Sequence, residues 1–108
     1  MKVFQDYDLR ANNTFGVSAR CACFREYASE AELCEIITSL SQAKPRPLLH
    51  IGGGSNLLFT GDFAGDILHS AIKGRTLVAE DEMSVFIRVG AAECWDDIIA
   101  RSLQAGYY

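Results

Sequence analysis

From Cys21 to Tyr27 the chain reads Cys-Ala-Cys-Phe-Arg-Glu-Tyr, rich in residues that favour extended backbone, and this predicts a strand. Ser29 and Glu32 follow at capping-box spacing, and Leu33, Ile36, Ile37 and Leu40 recur at i, i+3, i+4 and i+7. That period lines the four side chains along one stripe of a helix, and Lys44-Pro45-Arg46-Pro47 ends it because proline removes an amide donor. A helix with one apolar stripe packs that stripe on a sheet. Leu48-Leu49-His50-Ile51 then reads as a short buried strand, and the order strand, helix, strand predicts two parallel strands joined by a crossover.

Leu57-Leu58-Phe59 continues extended, Thr60-Gly61-Asp62-Phe63-Ala64-Gly65 supplies turn chemistry, and Asp66 to Ile72 reads as a further strand. Lys73-Gly74-Arg75 marks a boundary. Beyond it, Thr76 to Ala79 and Ser84 to Val89 form a hairpin around the acidic turn Glu80-Asp81-Glu82. Gly90-Ala91-Ala92 leads into a last helix with Trp95, Ile98, Ile99 and Leu103 as its buried face and Gly106 as its C-terminal cap. The expected fold class is α+β in two parts, residues 1–72 and residues 73–108. The second part is expected to be incomplete, because Tyr107 and Tyr108 end the chain directly after a helical pattern.

The composition, 49% hydrophobic and 22% charged over 108 residues, is that of an ordinary globular chain. A net charge of −4 with its ten basic residues dispersed argues against nucleic acid, which needs a basic face to release counterions. An anionic ligand therefore has to be held by local geometry, such as backbone N–H groups. No apolar run has the length of a signal peptide core or a membrane span, so a cytoplasmic protein without membrane contact is expected. Cys21, Cys23, Cys34 and Cys94 lack zinc-site spacing and read as buried or half-buried free thiols. His50 and His69 stand alone in strand-like segments and read as core or surface residues rather than bases. Glu93, Asp96 and Asp97 suit the acidic first turn of a helix better than a catalytic pair.

The segment with most chemical content is Ile51-Gly52-Gly53-Gly54-Ser55-Asn56-Leu57-Leu58. Consecutive glycines after a strand free the backbone to turn successive N–H groups into one concavity, a nest that suits phosphate. Ser55 and Asn56 can donate to phosphate oxygens or pin the loop locally. The run lacks the Gly-Lys-Ser/Thr of a P-loop and the third spaced glycine of the dinucleotide fingerprint, and no helix follows it. A nest acting without a helix dipole and a plain structural turn are both consistent with these residues.

Four stretches carry a resemblance: Asn13-Thr14-Phe15-Gly16, Gly52-Gly53-Gly54-Ser55-Asn56-Leu57-Leu58, Asp62-Phe63-Ala64-Gly65, and Val89-Gly90-Ala91 with Trp95 soon after. In order and spacing the chain resembles the UDP-N-acetylenolpyruvoylglucosamine reductase (UDP-N-acetylmuramate dehydrogenase) family. The resemblance implies a two-lobed FAD-binding domain of the vanillyl-alcohol-oxidase (PCMH) type, here truncated, with residues 1–72 as the first lobe and residues 73–108 as the start of the second. In that family NADPH reduces FAD, and the flavin passes hydride to the enolpyruvyl group of a UDP-sugar, giving UDP-N-acetylmuramate for peptidoglycan.

By the same resemblance Gly52, Gly53, Gly54, Ser55 and Asn56 contact the pyrophosphate, with Ile51 and Leu57 as flanking backbone contacts. Asn13 and Thr14 match a signature near the cofactor, although Asn-Thr is also a common turn or cap. Gly90 and Ala91 match another, although a tight strand-to-helix turn explains them equally. The family's proton-donating serine, its arginine and glutamate, and its substrate domain are expected beyond Tyr108, so the fragment alone is not expected to catalyse. The alternative reading is a non-catalytic phosphate- or nucleotide-binding module. Apolar surface left open by an incomplete lobe is expected to promote self-association.

Overall fold

The computed structural model describes residues 1–108, and they divide into two compact units, Met1–Ala71 and Ile72–Tyr108. The elements are α+β in class. The first unit contains strand β1 (Lys2–Asp8), a 3-10 turn (Leu9–Asn12), strand β2 (Arg20–Tyr27), helix α1 (Glu30–Gln42), and strands β3 (Leu48–Ile51) and β4 (Phe63–Ser70). They make one mixed sheet in the order β1-β2-β4-β3, with β1 antiparallel to β2 and both β2 and β3 parallel to β4.

β2 and β3 run in the same direction, as the strand, helix, strand order implies. They are not neighbours, however, because β4 lies between them. This position explains the near-continuous burial of β4 from Gly65 to Leu68, since a central parallel strand is covered on both faces. β4 starts at Phe63 and stops at Ser70, three residues earlier at its start than the alternation from Asp66 suggests and short of Ile72. Two contacts set that start. The Asp62 carboxylate accepts the Arg20 N–H at 2.9 Å, and Asp66 N–H donates to the Pro47 carbonyl at 2.8 Å. Gly65 has to be glycine, because a Cβ there would lie 2.2 Å from that same Pro47 oxygen.

β1 has no counterpart in the sequence reading. Its side chains are largely exposed, Val3 and Phe4 among them, so it lacks the alternation that marks a half-buried strand. Its register with β2 runs from Lys2 opposite Glu26 to Asp8 opposite Arg20.

α1 begins as its caps dictate. Ser29 Oγ accepts the Glu32 N–H at 3.2 Å, while Glu32 Oε2 accepts the Ala28 N–H at 2.6 Å, one residue upstream of the usual box partner. Glu32 Oε1 also pairs with the N-terminal ammonium at 2.9 Å. Only Ile36 of the apolar stripe is fully buried; Leu33 and Leu40 are half-buried and Ile37 is exposed. The core of this unit is Leu9, Cys21, Phe24, Ile51 and Ile67, with Tyr7, Leu49, Leu57, Phe59 and Phe63 packed against it. Leu57 and Phe59 point in while Leu58 points out, an extended alternation made without strand pairing.

The second unit is an antiparallel hairpin, β5 (Arg75–Glu80) with β6 (Val85–Val89), followed by helix α2 (Trp95–Gln104). Asp81 closes the hairpin by accepting the Met83 and Ser84 N–H groups at 2.8 and 2.7 Å. α2 ends in a Schellman pair: Gly106, at φ +82°, donates to the Leu103 carbonyl and Tyr107 to the Ser102 carbonyl. The expectation of Trp95 as core does not hold, since Trp95 is 73% exposed and Ile99 and Leu103 are exposed with it. Ile98 alone on that helix is buried, because helical period fixes which side chains share a face but supplies nothing for the face to pack on. No helix is long and apolar enough to cross a membrane.

Candidate functional site

The glycine run leaves the C-terminal end of β3 directly after buried Ile51. Its three glycines stand in unlike surroundings. Gly54 is buried with φ +78°, a region that side-chain-bearing residues avoid, and its carbonyl accepts the Thr14 N–H at 3.1 Å. A Cβ on Gly54 would lie 2.0 Å from the Asn12 carbonyl oxygen and 2.7 Å from the Asn13 Cα. The fold itself therefore requires this glycine.

Gly52 and Gly53 are exposed, and a Cβ built on either meets nothing within 4 Å. Nothing in the first unit demands glycine at these two positions. Ser55 and Asn56 are exposed beside them in a turn, and the N–H groups of Gly53, Ser55 and Asn56 are spent on no backbone carbonyl. The stretch thus combines an anchored rear, Gly54, with an open front of backbone donors and two short polar side chains. Such a front can hold a phosphate group without any basic residue.

Asn13 and Thr14 meet this loop, as the Thr14 bond shows. Asn13 is 7% exposed, and its side chain is engaged within its own segment. Asn13 Nδ2 donates to the Leu9 and Val17 carbonyls at 2.8 and 3.1 Å, and its Oδ1 accepts the Val17 N–H at 3.0 Å. Asn12 Oδ1 accepts from Tyr7 Oη at 2.8 Å, and the Tyr7 ring stacks on Phe24 at 4.4 Å. Burial pushes the Tyr7 phenol above its ordinary pKa. Sequence reasoning missed Tyr7 and Asn12, whose role depends on a contact between separate stretches of chain.

Gly90 and Ala91 lie in the second unit. A Cβ on Gly90 would lie 2.4 Å from the Ile72 carbonyl oxygen, and the Gly90 N–H donates to the Gly74 carbonyl at 2.8 Å. The close approach of the Ile72–Lys73 backbone leaves no room for a side chain at this position. Glu93 Oε1 accepts the Gly74 N–H at 3.2 Å, and Asp96 and Asp97 occupy the first turn of α2. His50 Nε2 is 2.7 Å from Tyr27 Oη, and His69 Nδ1 is 3.0 Å from Glu26 Oε2.

Asp66, a lone carboxylate in an apolar strand, is the most engaged charge in the first unit. It is nearly fully buried and takes Arg46 through two bonds of 2.6 and 2.8 Å and Arg25 through one of 2.6 Å. The Arg46 guanidinium, aided by Arg25, outweighs burial and holds the Asp66 carboxyl below the usual range. A signal existed in the sequence: an aspartate inside a buried strand needs a cation, and Arg46 stands between two prolines just before the neighbouring strand. The three charged groups border a hollow of about 780 Å³ that Ile37, Leu40 and Leu48 line as well.

Cys21 and Cys23 are buried free thiols, and burial pushes both pKa values up, so they stay protonated. Cys34 and Cys94 are exposed, contrary to the expectation of buried or half-buried thiols. Each sits where its helix faces water or begins: Cys34 on the outer side of α1 and Cys94 at the N-cap of α2.

No family model matches the chain. It is similar to the UDP-N-acetylenolpyruvoylglucosamine reductase of Bacteroides fragilis (strain YCH46), 49% identical over 104 residues, covering 96% of the chain and 31% of the relative. It is also similar to the same-named protein of Porphyromonas gingivalis (strain ATCC 33277), 38% identical over 108 residues, covering 100% and 32%. The corresponding protein of Shewanella sp. (strain ANA-3) is 41% identical over 97 residues, covering 90% and 28%. The chain spans about a third of the length of these relatives. At 38 to 49% identity over nearly all of its own length, its homologues are UDP-N-acetylenolpyruvoylglucosamine reductases.

Proposed function

We propose that this chain supplies the pyrophosphate-holding part of an FAD-dependent reductase that converts UDP-N-acetylglucosamine enolpyruvate to UDP-N-acetylmuramate for peptidoglycan synthesis. The observation that carries the reading is the contrast within the glycine run. Gly54 is explained by packing against Asn12 and Asn13, whereas Gly52 and Gly53 face open space and are left without a structural reason. Two glycines at positions where the fold does not need them suit a close approach by a ligand to the backbone. Homology to reductases of that name supports the choice of ligand.

In this proposal Gly52, Gly53, Ser55 and Asn56 hold the pyrophosphate, with Ile51 and Leu57 fixing the two ends of the loop. Asn13 and Thr14 take part from behind the loop. The residues present fit the group: the site offers backbone donors, short polar side chains and open volume at both free glycines. The chemistry that FAD supplies when bound is hydride transfer, with NADPH as the reductant. The chain's own share is to bind and orient. The two units correspond in this reading to the first lobe and part of the second lobe of a vanillyl-alcohol-oxidase-type FAD-binding domain. The whole reductase is proposed to be cytoplasmic, with the UDP-sugar substrate handled by groups this chain does not carry.

Titrating FAD, ADP and inorganic pyrophosphate into the purified chain tests the proposal. Flavin fluorescence should be quenched saturably, and FAD should bind more tightly than ADP. Equal binding of all three would point instead to a phosphate- or nucleotide-binding module, and no binding of any of them would remove the nest.

A further inference from the structure

Resting on the pyrophosphate reading, we infer that Asn13 is a positioning residue for the glycine loop: it sets the loop's shape from behind without touching the ligand. Asn13 uses both amide protons and its carbonyl oxygen inside residues 9 to 17, tying Leu9 and Val17 together around itself. A buried side chain with three bonds to its own backbone holds a segment in one conformation, since each broken bond leaves a buried polar group unpaired. That segment meets the loop at two points. The Thr14 N–H donates to the Gly54 carbonyl at 3.1 Å, and the Asn12 carbonyl oxygen fills the space where a Cβ on Gly54 would stand, 2.0 Å away.

A second anchor fixes the same segment to the core. Tyr7 Oη donates to Asn12 Oδ1 at 2.8 Å, and the Tyr7 ring stacks on Phe24, which is buried in the centre of the sheet. Gly54, at φ +78°, is the hinge of the run, and the direction in which Ser55 and Asn56 leave it depends on that dihedral. The sheet core, Tyr7, Asn12, Asn13, Thr14 and Gly54 thus form one connected path ending at the open donors. A nest held this way is preorganised: less ordering is left for the ligand to impose, so affinity rises without added contacts.

The test uses two variants with ligand-free and ligand-bound readouts. Asn13→Asp keeps the shape but loses both donors and sets a carboxylate against the Leu9 and Val17 carbonyls. Thr14→Pro removes the N–H that reaches Gly54 and puts its ring Cδ against the Gly54 carbonyl oxygen, so the loop has to part from this segment. The proline is compatible with its predecessor, because Asn13 is extended at φ −144° and ψ 146°, as residues before proline prefer. Amide resonances of Gly52 to Asn56 in the ligand-free chain should shift in both variants. FAD and inorganic pyrophosphate should bind about tenfold more weakly at unchanged circular dichroism, the scale expected from lost preorganisation. A folded Thr14→Pro chain with wild-type loop resonances and wild-type affinity overturns the inference. In the unmutated chain the Thr14 amide should exchange with solvent more slowly than the Phe15 amide. Equal exchange overturns the latch even if neither variant folds. Failure of wild-type chain to bind either probe rejects the pyrophosphate reading alone, because the ligand-free spectra still decide whether Asn13 shapes the loop.

Discussion

Gly53 and Gly54 are adjacent, yet they predict opposite behaviour on substitution. Gly54→Ala puts a side chain at φ +78° and into the Asn12 carbonyl, so strain and overlap together should cost about 3 kcal/mol in urea unfolding. Gly53→Ala meets nothing and should change stability by less than about 0.5 kcal/mol while weakening FAD retention. A Gly53→Ala chain that binds FAD as well as wild type would count against the loop as the ligand site. Asp66 gives a pH prediction. Its folded pKa lies below its unfolded value of about 3.9, so the unfolded chain binds the proton first as pH falls. The stabilisation is therefore full above that unfolded value and is lost as pH drops through the folded one. Asp8 and Glu32 are also held low, by the Arg10 and Ala28 N–H groups first, and titrate in the same direction. Comparison with Asp66→Asn isolates the buried group. The variant should lose roughly 2–3 kcal/mol at pH 7, because half-buried Arg25 loses its counter-charge while the more exposed Arg46 rehydrates, and its stability should fall less steeply in acid. Parallel acid profiles for the two chains would contradict this account.

The elements that were legible in advance are those whose causes are local. α1 was readable from Ser29, Glu32 and the 3.6-residue period, and the end of α2 from Gly106, because caps act within a few residues of the backbone they satisfy. β1 was not readable, since an exposed edge strand is stabilised by pairing with a distant neighbour, and its own pattern carries no such information. The insertion of β4 between β2 and β3 likewise depends on contacts such as Gly65 against Pro47. In the candidate site the glycine run was legible as chemistry. The division of labour inside it was not, because only the fold brings Asn12 to Gly54. Ser29→Ala should cost about 1 kcal/mol in urea unfolding, the usual value of a lost N-cap, with the loss confined to α1. Hydrogen exchange of the Glu32 and Leu33 amides would show that fraying directly, and unchanged protection would mean that the Ala28 bond to Glu32 caps the helix unaided.

At the scale of the whole chain, the two units differ in what holds them together. Every residue of the core cluster belongs to residues 1–71, where four strands and a helix surround Phe24 and Ile67. Residues 72–108 offer a two-stranded hairpin and one helix with a single buried apolar side chain, Ile98, and a two-stranded sheet is marginal in water without such a core. Leu77, Val78, Phe86, Trp95, Ile99 and Leu103 are exposed there, a concentration of apolar surface that favours association. Limited trypsin digestion should therefore cut at Arg75, Arg88 and Arg101 well before Arg25, and leave a resistant piece close to residues 1–71. Trp95 is the single tryptophan, so its emission reports on the second unit alone. At low concentration it should have the red-shifted emission of a hydrated indole and be open to acrylamide quenching. Raising the concentration should shift the emission to the blue as sedimentation shows larger species. If α2 and the hairpin formed a self-sufficient core, Arg88 and Arg101 would resist trypsin as Arg25 does, and Trp95 emission would not depend on concentration. Protection of Arg88 and Arg101 that appears only at high concentration would instead assign their stability to contacts between copies of the chain.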